Sequence, residues 1–251
     1  MALCVILVTT VFVVYFWLRR QQDVPSPLSA LAKPSSGACC VLMGPVGAGK
    51  TALLLCLFDM NTVKTCTSSA VNRIDLNEEQ YASVAQGKFK TIFDVPGHPR
   101  LQHLAEMVLE SNKQLHTIVF VVDSQGPALM KQARQVAEQL YTLLTSPLLQ
   151  GRRQPLNLVL ACNKQDLPLA MNKEAVRGQL EQELNSLRQT MAAVQRNDTT
   201  DMNEQASSVF LGVEGRSFTF EADLPALNME CRFVECVATS GRGLSSLFHA
   251  Q

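Results

Sequence analysis

The sequence predicts an α/β fold, a doubly wound and mostly parallel sheet preceded by one N-terminal transmembrane helix. Three observations carry that expectation. Short apolar runs near 38–43, 89–94, 117–123, 156–162 and 232–237 read as strands buried on both faces. Helical stretches alternate with them, clearest at Met130–Leu144 and Glu174–Thr190, whose Leu/Val/Ala stripes read as core. Three of the apolar runs also end in residues suited to a nucleotide, at the strand ends where such a sheet holds its ligand.

The first element is the run Ala2–Leu18, seventeen residues without a charge, closed by aromatic residues and Arg19–Arg20. As a helix it spans about 25 Å, enough for a thin bilayer. The arginine flank puts the C-terminal bulk on the cytosolic side. A cleaved signal peptide is the competing reading, with Ala30-Leu31-Ala32 as its site. No basic residue precedes the apolar run, however, so the anchor is favoured. Residues 19–37, rich in proline and serine, read as a cytosolic linker.

Composition narrows the partners. Lys+Arg and Asp+Glu balance at 22 each, so no net field draws the chain to nucleic acid, and no direct nucleic-acid binding is expected. The eight cysteines show no CxxC or Cys/His ligand spacing and read as reduced, buried thiols. Cys39 and Cys40, adjacent in a strand, point to opposite faces.

The next element is the phosphate loop. Gly44, Pro45, Val46, Gly47, Ala48, Gly49, Lys50 and Thr51 spell GPVGAGKT between the first strand and the helical run TALLLCLF. Glycines let backbone N–H groups close around phosphates at a helix N-terminus. Lys50 brings charge to the β- and γ-phosphates, and the Thr51 hydroxyl suits Mg²⁺. In KTIFDVPGH, Asp94 ends a strand beside the metal site, which it would reach through water, and the Gly97 N–H can meet a γ-phosphate. In LNLVLACNKQDLP, Asp166 can accept from guanine N1 and N2, Asn163 can hold the base edge, and the Lys164 stem can cover the base face. Adenine offers no such donor pair, so the spacing of the three motifs points to GTP with Mg²⁺.

These motifs resemble the Ras/Arf-like small GTPases. The anchor, TCTSS (65–69), IVFVVDS (118–124), ACNKQD, LEQELNSLR (180–188) and ECVATSGRG (235–243) are similar to one branch, the beta subunits of the signal recognition particle receptor. That resemblance implies a P-loop GTPase domain over 38–251 and GTP-dependent recruitment of the receptor's alpha subunit for co-translational targeting. It also implies a single-pass endoplasmic reticulum protein with a lumenal N-terminus. By the same carry-over Thr67, or else Thr65, is the switch threonine on the metal. His98 orients the attacking water, and Val237 and Ala238 stand at the base-side loop, leaving backbone N–H groups to support guanine. Without an arginine finger in cis, hydrolysis is expected to be slow.

Two segments depart from a minimal GTPase. An inserted loop and hairpin near 196–220 is expected to turn at Glu214-Gly215. After GRG only LSSLFHAQ follows, about two helical turns. The alternative function is an Arf/Sar-like vesicle GTPase driven by turnover; Ala2 in place of the glycine that myristoylation requires speaks against it.

Overall fold

Every strand that the apolar runs predicted is present in the computed structural model, which describes residues 37–58, 67–198 and 210–248. In chain order the elements are β1 Cys39–Met43, α1 Lys50–Leu57, β2 Asn72–Asp75, α2 Glu78–Ser83, β3 Thr91–Asp94, α3 Gln102–Ser111, β4 Leu115–Asp123 and α4 Gly126–Leu144. Then come β5 Leu156–Asn163, α5 Lys173–Asp198, α6 Phe220–Asp223, β6 Met229–Glu235 and α7 Ser245–Phe248. The six strands form one sheet in the order β2-β3-β1-β4-β5-β6. All neighbours run parallel except β2, which pairs antiparallel with β3.

The sheet is coated on both faces, which is why the central strands read as unbroken apolar runs. Cys39 and Cys40 point opposite ways and are both fully buried. One face packs Cys40, Leu42, Val119, Val121, Val159 and Ala161 beneath α1 and α7. The other face carries α4 and α5. Leu129, Ala133, Val136, Leu140 and Leu144 give α4 a buried stripe at helical spacing. Val176, Leu180, Leu184 and Leu187 do the same for α5. Asn172 opens α5 by accepting the Ala175 N–H at 2.8 Å.

Three expectations need correction or placing. β2 and α2 were not anticipated: NRID holds a single large apolar residue, yet it fills the sheet edge, and Asn77 with Gln80 caps α2 reciprocally. The expected hairpin after 208 is a turn without a ladder. Glu214-Gly215 does turn, but residues 210–219 form no strand. Side chains of α5 satisfy that backbone instead. Arg188 donates to the Val213 and Arg216 carbonyls at 2.7 and 3.0 Å, and Asn185 bonds both the N–H and the carbonyl of Phe218. The candidate anchor at 2–18 and the linker apart from Gly37 lie outside the described residues, as does the 199–209 part of the insertion. Among the described residues no helix is long and apolar enough to cross a membrane.

Candidate nucleotide site

The ends of β1, β3 and β5 bring the three sequence motifs to one rim of the sheet. Between β1 and α1 the chain must turn back on itself. Gly49 takes φ +97°, and a side chain there would collide with Asn163. Lys50, the first residue of α1, is 7% exposed and donates from Nζ to the Gly44 and Pro45 carbonyls, both at 2.9 Å. Burial pulls its ammonium down to about 8, against the stabilising charge of Asp94.

Beyond Lys50 lies a cavity of about 260 Å³, lined by Val46, Gly47, Thr51, Thr67, Pro96 and Gly97 among others. Gly97 approaches the phosphate loop so closely that a Cβ would overlap the Gly44 carbonyl and Lys50 Nζ, so only glycine fits. Thr51 Oγ1 donates to Asp94 Oδ2 at 2.8 Å, and Asn72 Nδ2 donates to the same oxygen at 3.1 Å. Asp94 is fully buried. Burial raises its pKa, while Thr51, Asn72 and Lys50 oppose the rise. Its Oδ1 has no hydrogen-bond partner among the described residues. An orphaned carboxylate oxygen beside a threonine hydroxyl is a hard oxygen donor set, which fits Mg²⁺.

Sequence reasoning missed Ser68. Thr67 lines the cavity, but the hydroxyl bonded to Thr51, at 3.1 Å, belongs to Ser68. The repeated hydroxyls of TCTSS were the only signal; Thr65 lies outside the described residues. His98 does not line the cavity beyond Lys50. It is exposed, its Nδ1 accepts the Arg100 N–H at 3.2 Å, and it lines a neighbouring cavity with Gln102, Glu106 and Gln139 rather than the one at Lys50. His98 is the cap of the 3-10 turn Pro99–Leu101, and its imidazole is engaged by that turn.

At the base end Asn163 does not present its edge outward. It is 2% exposed; Nδ2 donates to the Ala48 carbonyl at 2.8 Å, and Oδ1 accepts the Ala238 N–H at 2.9 Å. The Val237 N–H goes to the Arg242 carbonyl. Both backbone N–H groups expected to support guanine are thus bonded within the protein. Lys164, at φ +67°, pairs through Nζ with Asp123 Oδ2 at 2.6 Å. Asp166 is exposed, and among the described residues its carboxylate has no partner, leaving both oxygens for a base.

Sheet order, phosphate loop and an aspartate-bearing base loop define the class: a GTP-binding protein of the small-GTPase type. The description "Signal recognition particle receptor beta subunit" matches residues 35–226. Human signal recognition particle receptor subunit beta is 34% identical over 218 residues, covering 84% of this chain and 72% of that one. The mouse subunit is 31% identical over 246 residues, covering 96% and 78%. The solved structure of SRb-GDP-Mg from Chaetomium thermophilum superposes with TM-score 0.64 at 25% identity, over 86% of this chain and 97% of that one. The chain belongs to the signal recognition particle receptor beta-subunit family.

Proposed function

We propose that the chain is the GTP-loaded, membrane-anchored half of a receptor, holding the alpha subunit at the endoplasmic reticulum when GTP is bound. One observation supports this most. The 67–68 segment and the Pro96-Gly97 turn both wall the cavity beyond Lys50, so the group that fills it sets the position of two surface segments at once. Lys50 and the loop N–H groups would hold the phosphates, Thr51, Thr67 and, through water, Asp94 would hold the metal, and Asp166 would select guanine. Bound Mg²⁺ would neutralise charge on the β- and γ-phosphate oxygens. Hydrolysis is secondary in this reading. No arginine of the described residues lines the phosphate cavity, and His98 faces its neighbour.

The test is a titration of the alpha subunit's N-terminal domain against GTP-, GDP- and non-hydrolysable-analogue-loaded protein. A tenfold preference for GTP, worth about 1.4 kcal/mol, is the expected minimum. Equal affinity in all three states would make the nucleotide a structural cofactor. The anchor and the lumenal N-terminus are tested on sealed microsomes. External protease should remove the GTPase domain and leave an alkali-resistant stub, whereas a protected soluble protein would sink the topology.

A further inference from the structure

One wall of the cavity beyond Lys50 is made by two hydroxyl residues in succession, Thr67 and Ser68. Burial tells them apart. Thr67 is exposed, Ser68 half-buried and Ser69 exposed again. The segment is fixed just beyond, where Val71 is buried and Asn72 of β2 bonds Asp94 of β3. Ser68 reaches the phosphate loop, with its Oγ 3.1 Å from Thr51 Oγ1. Among the described residues neither Thr51 nor Asp94 makes a side-chain hydrogen bond to Thr67.

Thr51 gives its one proton to Asp94 Oδ2, so the Ser68 hydroxyl meets a Thr51 lone pair. With the Ser68 hydrogen turned aside, two oxygens 3.1 Å apart can present lone pairs to one point. An octahedral Mg²⁺ with bonds of about 2.0–2.1 Å sets adjacent ligands roughly 2.9 Å apart and opposite ones roughly 4.1 Å apart. The Thr51–Ser68 spacing is that of adjacent ligands, within about 0.2 Å. The carboxylate that Thr51 bonds adds a third oxygen, the buried Asp94 Oδ1, which has no partner among the described residues.

We propose that, within the Mg²⁺–nucleotide reading on which this rests, Ser68 Oγ is the second protein ligand of the divalent cation, in the place that the resemblance gives to Thr67. Thr51 and Ser68 together would fasten the 67–68 segment to the start of α1. The surface ahead of β2 would then answer to the metal through a serine, and the neighbouring threonine would stay on the outside.

The test uses the full-length protein loaded with a non-hydrolysable GTP analogue, with Mn²⁺ as the probe and its electron paramagnetic resonance signal as the measure of free metal. Ser68→Ala should weaken Mn²⁺ at least about tenfold, and Ser68→Thr, which keeps the hydroxyl, should retain most of the affinity. Thr67→Ala should cost less than Ser68→Ala. Ser68→Cys exchanges a hard oxygen for a soft sulfur of similar size. It should lose Mn²⁺ and gain Cd²⁺, with an ultraviolet thiolate-to-metal band that Thr67→Cys lacks. Undiminished or tighter Mn²⁺ binding by Ser68→Ala overturns the assignment. So does a larger loss from Thr67→Ala, or a Cd²⁺ band from Thr67→Cys alone. Wild-type protein that holds the nucleotide but no Mn²⁺ overturns the metal reading beneath it as well.

Discussion

Replacing Lys50 with methionine should abolish nucleotide binding and yet stabilise the nucleotide-free protein. The ammonium is buried against two carbonyls, with Asp94 the charge that opposes its burial. Its fall from 10.5 to about 8 corresponds, at ~1.4 kcal/mol per tenfold change in proton affinity, to a penalty of about 3 kcal/mol. Methionine fills similar volume without charge but leaves the Gly44 and Pro45 carbonyls without their donor, returning roughly 1–2 kcal/mol. A net gain of about 1–2 kcal/mol remains. The pH dependence carries the sign. Since the folded pKa lies below the unfolded one, the penalty is complete below about 8 and disappears as pH rises toward 10.5. Urea unfolding of nucleotide-free protein at pH 7 and pH 9.5 measures it: the variant should lead clearly at pH 7 and by less at pH 9.5. A variant less stable than the wild type at pH 7, or a lead that widens with pH, refutes the reasoning.

Other perturbations test the remaining site. Asp166→Asn should shift preference from GTP toward xanthosine triphosphate, because an amide can donate to the 2-oxo group; competition binding with ATP as control reads it. Gly97→Ala, whose methyl would overlap the Gly44 carbonyl, Pro45 and Lys50 Nζ, should displace the phosphate loop and weaken GDP and GTP alike by at least about tenfold, read by nucleotide titration. Asn163→Ala breaks the bonds to Ala48 and Ala238 at once, so stability should fall by about 2–3 kcal/mol in denaturant melts, with faster guanine nucleotide release. Arg188→Ala removes bonds to two carbonyls and its stacking on Phe210, and should cost about 3 kcal/mol, with early proteolysis within 210–218.

What the sequence revealed was whatever depends on burial and on backbone chemistry. Strands covered on both faces, such as LNLVLACN, announce themselves because their middle, residues 158–162, is an unbroken run without a polar amide or charge. The phosphate loop and NKQD are legible for a related reason, since each is a local segment whose residue types are dictated by the ligand. β2 was hidden because an edge strand with one side chain in the core needs only one large apolar residue, Ile74. The 210–219 segment misled because alternating apolar residues around a glycine turn resemble a hairpin, while its real partners, Asn185 and Arg188, lie about 30 residues away on α5. Ser68 and the true bonds of Asn163 were illegible for the same reason. Which hydroxyl or amide meets which neighbour is decided by tertiary geometry, and spacing along the chain does not encode it.

The Asn163 amide joins the loop that grips phosphate to the loop that borders the base, and this has a kinetic consequence. A nucleotide held by two independent clamps could peel away from either end. Here the clamps share a hinge pin, so loosening one strains the other, and release is expected to be concerted, which stopped-flow nucleotide release from Asn163→Ala would read. It follows that a factor hastening exchange need not touch the phosphates at all. Leverage on the exposed turn at Thr239–Ser240, transmitted through the Ala238 N–H to Asn163 and on to the Ala48 carbonyl, would open the phosphate loop from the far side of the pocket.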